Sequence, residues 1–154
     1  MKCIAVLTDR MRQFPMCDVI EHHIKQILDS GVLIYVPRYM WDEVYYQMEK
    51  QIMKDYHDNE ENFKARFGIP IHDFISSRVQ EYGMKDDDGI NFYIGSMVCN
   101  NEIGLLLCDC CENTIVNEIL YSAQIRDVII STSEASANFI LKNLNLVDFK
   151  EKED

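Results

Sequence analysis

The chain has 154 residues, 47% hydrophobic and 27% charged, with only six Gly and three Pro; this excludes collagen-like and low-complexity classes and leaves enough chain for one core. Fifteen basic and 26 acidic residues give a net charge of −11, which excludes a protein that grips nucleic acid through a broadly basic surface, but not an enzyme that recruits cations to an acidic site. No apolar run reaches the ~18 residues of a membrane helix, and Ile4–Leu7 is too short for a leader, so no membrane partner and a cytoplasmic location are expected.

In chain order, Ile4–Leu7 is a short continuous apolar run that reads as a strand buried on both faces and ends in Thr8-Asp9. Residues 17–29 have helical rhythm, and Ser30-Gly31 closes that helix. Val32–Val36 predicts a second strand, which Pro37 stops before a long helix over 38–54 that bears Asp42 and Glu43. After an acidic break at 55–61, residues 62–82 predict one or two helices interrupted near Gly68-Ile69-Pro70. Gly83 and Asp86-Asp87-Asp88-Gly89 predict a turn and a helix start, where acidic residues suit the helix dipole. A helix over 89–102, a strand at Leu105–Cys108, a helix over 112–123 and a strand at Val128–Ile130 follow. Ser133 predicts the cap of a helix to Leu141, and Leu144–Val147 a last short strand. One domain over 1–147 is expected, followed by a charged tail at 148–154.

Strands alternating with helices imply an α/β fold with three layers (α/β/α) and a parallel sheet of four or five strands. In such sheets ligands bind beyond the carboxyl ends of the strands. Asp9 and Asp109 follow the first and third expected strands, Glu43 lies on the helix after the second, and Asp86–Asp88 open the helix feeding the third. Four acidic points could thus converge on one edge. Clustered carboxylates repel unless a cation neutralises them, and oxygen-only ligands favour Mg²⁺ or Mn²⁺ over zinc. Such a cation activates water and stabilises charge on a phosphate in transit, which points to phosphodiester hydrolysis. Taken singly, each residue is equally explained as a cap, a turn former or a solvated helix residue.

The remaining motifs are weighed against ordinary structural roles. Cys108-Asp109-Cys110-Cys111 lacks the paired knuckles of a zinc site and reads as thiols on a core strand and its exit turn. His22 and His23 are adjacent, so on a helix they point about 100° apart and cannot readily share one ion. Tyr35, Tyr39, Trp41, Tyr45 and Tyr46 could stack on bases, but read more simply as core or a dimer surface. No glycine-rich phosphate loop is present, so no nucleotide cofactor is supported.

Over roughly residues 2–142 the pattern resembles the PIN-domain family of metal-dependent ribonucleases. The residues that carry the likeness are the strand Ile4–Leu7 ending in Asp9, and Val36-Pro37 followed six positions later by Glu43. Asp88, with Asp87 as competitor, opens a helix with Gly95 and Ser96 two turns on, and Leu105–Cys108 ends at Asp109, with Glu112 as an alternative. The ending Val128–Ala135 is also similar. Two departures stand out: Arg10 and Met11 replace the family's small hydroxyl residue and Asn, and Asp109 follows its strand directly. The resemblance implies an Mg²⁺- or Mn²⁺-dependent endoribonuclease with Asp9, Glu43, Asp88 and Asp109 as metal-binding and catalytic residues. Arg10, Arg12 and Arg38 would hold RNA phosphates. As a small PIN-like chain it is similar to the toxin halves of toxin–antitoxin pairs, which implies a homodimer and an antitoxin or other protein partner. The alternative is a catalytically inactive PIN-like module that binds a protein or RNA. A receiver-like signalling domain ranks third, because no paired acid stands at Leu7-Thr8 and no Lys follows Val128–Ile130.

Overall fold

The computed structural model describes residues 1–10, 13–82, 87–109 and 114–150, and for residues 87–92 the backbone alone. Its centre is an all-parallel sheet of five strands: β1 (Cys3–Thr8), β2 (Ile34–Pro37), β3 (Val79–Tyr82), β4 (Ile103–Asp109) and β5 (Ile129–Ser131), in the order β3-β2-β1-β4-β5. The eight helices of the described chain are α1 (Gln13–His22), α2 (Ile24–Ser30), α3 (Arg38–Asp55), α4 (Glu60–Phe67), α5 (Ile71–Ser76), α6 (Asp87–Cys99), α7 (Thr114–Ile125) and α8 (Glu134–Lys142). The three-layer α/β/α architecture expected from the alternating pattern is therefore present, with five strands.

β1 is central, between β2 and β4, and all six of its residues are buried. That is why its sequence is a continuous apolar run rather than an alternating one. Ile4 and Val6 point into the core shared by α1, α2, α3, α5 and α8; Cys3, Ala5 and Leu7 point into the core shared by α6 and α7. The period of two thus divides one strand between two cores. A bulge at Gly104 shifts the β1–β4 register between Cys3 and Ile4. A side chain at Gly104 would stand 2.8 Å from the Phe149 ring, whose own carbonyl accepts from the Lys2 N–H at 2.7 Å. Packing therefore continues past Val147, with Phe149 buried.

Several expected elements are corrected. The helix over 17–29 is two helices that meet at His23, although Gly31 does end the second in the left-handed conformation (φ 72°). The segment 62–82 holds two helices and then an unexpected strand, β3. The strand expected at Leu144–Val147 is instead a 3₁₀ turn over Leu144–Leu146. Pro37 does open α3, and Ser133 caps α8 through a reciprocal box with Ser136. Among the described residues no helix is long and apolar enough to cross a membrane.

Candidate functional site

The chain builds β1, β2 and β3 outward in one direction, then crosses back through α6 to place β4 on the other side of β1. The strand order reverses between β1 and β4, so the crevice that such sheets use for ligands opens at the carboxyl ends of these two strands. Thr8 and Asp109 are partners in the last rung of their ladder. Asp9 follows Thr8 directly, and both Asp9 and Asp109 are half-buried. Two of the four expected carboxylates therefore stand on adjoining strand ends at the switch point.

On its other side, β1 separates from β2. Their ladder has rungs at Ile4–Ile34 and Ala5–Tyr35, yet β1 runs on to Thr8 and β2 to Pro37. The Ile4 N–H donates to the Leu33 carbonyl at 2.9 Å, so the same-parity residues Val6 and Thr8 also aim their peptide groups toward β2. The next β2 residue in register to donate to the Val6 carbonyl is Pro37, which has no N–H, and two tyrosine hydroxyls supply donors here instead. Tyr82, at the end of β3, donates to the Val6 carbonyl; Tyr39, in the first turn of α3, donates to the Thr8 carbonyl. Buried backbone acceptors need such partners. Tyr82 is itself buried and stacks on Tyr93 with ring centroids 5.7 Å apart. Tyr39 packs against both hydrophobic cores.

Arg10 is exposed, and its guanidinium carbon lies 5.4 Å from the centre of the Tyr39 ring. Its backbone carbonyl accepts from Gln13 Nε2 at 2.9 Å. Arg38, the first residue of α3, is also exposed. Arg12, Asp86 and Glu112, together with Cys110 and Cys111, lie outside the described residues. Asp87 and Asp88 form the first turn of α6; because α6 feeds the start of β4, that turn lies at the carboxyl edge.

Glu43 lies one helical turn beyond Tyr39 on α3 and is exposed. Its Oε1 is 3.4 Å from Gln47 Nε2, which also donates to the Cys17 carbonyl of α1 at 3.1 Å. Glu43 is thus drawn toward α1. The Cys17 thiol registers this: burial first, then the charges of Glu43, Asp18 and Glu21, push it up to about 11. Among the described residues, no group of three or more His, Cys, Asp or Glu side chains is placed to hold a metal ion. Asp9 and Asp109 therefore adjoin without Glu43 completing a cluster around them.

The other motifs take ordinary roles. Cys108 is buried on β4, as a core thiol. His23 is buried where α1 meets α2 and pairs with Asn138 at 3.0 Å, with its ring set edge-on to His22. The aromatic stretch mostly lines the core: Trp41 donates to the Val79 carbonyl at 3.3 Å and Tyr45 bonds His72 at 2.8 Å, whereas Tyr46 is 55% exposed. Tyr82 and Gln47, neither of them singled out by the sequence, also shape the surroundings of β1 and α3. Tyr82 was hidden because β3 was read as helix. Gln47 carried a signal, since it falls on the same stripe of α3 as Val44 and Met48 and is 1% exposed.

No protein-family model matches this chain, and no curated protein matches it. Among solved structures it is similar to methylglyoxal synthase from Elizabethkingia anophelis NUHP1, with a TM-score of 0.59 and 11% identity over 91% of this chain and 76% of that one. At that identity the likeness carries the fold alone.

Proposed function

We propose that this chain is a divalent-metal-dependent endoribonuclease of the PIN-domain type, working at the carboxyl edge between β1 and β4. The observation that carries the reading is the placement of Asp9 and Asp109 on adjoining strand ends at the switch point. Their oxygen-only donor set suits Mg²⁺ or Mn²⁺. The described carboxylates do not form a group of three, so the third ligand in this reading comes from the first turn of α6, with Asp88 first and Asp87 second. Glu43 joins the set by releasing Gln47. When bound, such an ion supplies an acidified water and positive charge for phosphate oxygens. Arg10, held against Tyr39, offers a guanidinium for a substrate phosphate at the same edge, with Arg12 and Arg38 as further candidates. RNA is the substrate in this reading, and a second copy and an antitoxin-like protein are its proposed partners.

A second reading, a non-catalytic module binding a protein or RNA, draws on two observations. Glu43 is engaged with Gln47, and Arg10-Met11 stands where the resemblance calls for a hydroxyl residue and Asn. The two readings separate in a cleavage assay on end-labelled single-stranded RNA with Mn²⁺. The nuclease reading requires cleavage by the wild type that stops in Asp88→Asn and on chelation. Intact RNA in every lane, with the RNA still bound, supports the module.

A further inference from the structure

The Thr8 carbonyl is one half of the peptide unit whose other half is the Asp9 nitrogen, so a bond to that carbonyl fixes the plane from which Asp9 departs. Tyr39 makes that bond through its hydroxyl. The face of the same ring carries Arg10, the residue after Asp9, at 5.4 Å. Asp9 is therefore bracketed on both sides by one side chain. On this side β1 has lost its strand partner, because the ladder to β2 has its last rung at Ala5–Tyr35. Tyr39 is itself held, since its ring packs against both cores and its backbone lies in the first turn of an 18-residue helix.

We infer that Tyr39 is a positioning residue of the metal site, fixing the Asp9 carboxylate through the Thr8–Asp9 peptide. This rests on the metal-dependent reading above and adds to it a residue that touches neither ion nor substrate. Residues that orient a ligand from behind typically control metal affinity by ten- to a hundredfold.

Tyr82 provides the control. Its hydroxyl makes the same kind of bond to the same strand, but at Val6, two residues before Thr8. Tyr39→Phe and Tyr82→Phe each remove one hydroxyl and keep the ring, so both should fold and both should unfold at lower temperature than wild type. Mn²⁺ alone is titrated calorimetrically into the full-length wild type and the two variants. The expected result is binding about tenfold weaker in Tyr39→Phe and unchanged in Tyr82→Phe. A merely structural role would weaken both variants alike, and that outcome overturns the inference. So does wild-type affinity in Tyr39→Phe, which would leave the metal site itself standing. A wild type that binds no Mn²⁺ overturns the metal reading and this inference with it.

Discussion

Thr8 and Asp109 face each other across the last rung of the β1–β4 ladder, which brings Asp9 beside the end of β4. These strands are held by apolar packing on both faces, from Ile4, Val6, Leu105 and Leu107 on one side and Ala5, Leu7 and Leu106 on the other. A metal ion at their carboxyl ends would be an addition to a finished core. The metal-free chain in EDTA should therefore still fold and melt cooperatively. Mn²⁺ at a hundred times its dissociation constant should stabilise the fold by about 2.7 kcal/mol. Thermal melts with EDTA and with Mn²⁺ check both statements; loss of the cooperative melt in EDTA would mean that an ion is structural.

Gln47 is an amide buried at 1% exposure whose Oε1 has no partner within the described protein. Its bonds go to an exposed carboxylate and to a helix carbonyl, neither of which depends on it strongly. Gln47→Met keeps the volume and removes the unpaired oxygen, so it should leave stability equal or higher by about 1 kcal/mol. Gln47→Glu buries a charge beside Glu43 and should cost about 3 kcal/mol. Urea unfolding of the two variants gives the comparison. A large loss in Gln47→Met would show that the tie between α1 and α3 matters more than the buried amide costs.

The buried thiols set an alkaline limit. Burial, followed by the charge of Glu102, pushes Cys3 from an ordinary 9.0 up to about 12; burial also leads the rise of Cys17 to about 11. Both groups keep their protons in the folded chain at pH values where the unfolded chain has lost them. Their contribution is complete below pH 9 and is lost as pH rises, through 11 for Cys17 and through 12 for Cys3. Each thiol should lower stability by about 1.4 kcal/mol per pH unit within its window. Tyr35 and Tyr45, both raised chiefly by burial, act in the same direction. Unfolding free energies at pH 8, 9 and 10 should fall with increasing slope, and Cys17→Ala should reduce that slope. A flat profile would contradict the assignment.

Much of the sheet was readable because its central strands have no polar face. Ile4–Leu7 and Leu105–Cys108 are apolar runs, and the aspartates at their ends mark the edge where they stop. β3 was not readable in the same way. As an edge strand it carries Gln80 and Glu81 exposed in its middle, while Val79 and Tyr82 point to opposite cores, which mimics a helix turn. Leu144–Val147 had the composition of a strand but does not join the sheet, and Asn143 starts a 3₁₀ turn there instead. The carboxylate pair was legible from strand ends. The roles of Tyr39 and Tyr82 were not, because they follow from the β1–β2 register, in which Pro37 has no N–H to offer the Val6 carbonyl, and that register is visible only in the folded sheet.

In the proposed function, Asp9, Asp109 and the first turn of α6 make one cation site at the β1–β4 switch point. Calorimetric titration of Mn²⁺ into the wild type and into Asp9→Asn/Asp88→Asn tests it directly. The expected result is saturable binding in the wild type and none in the double variant. No binding in the wild type, or equal binding in both proteins, would contradict it.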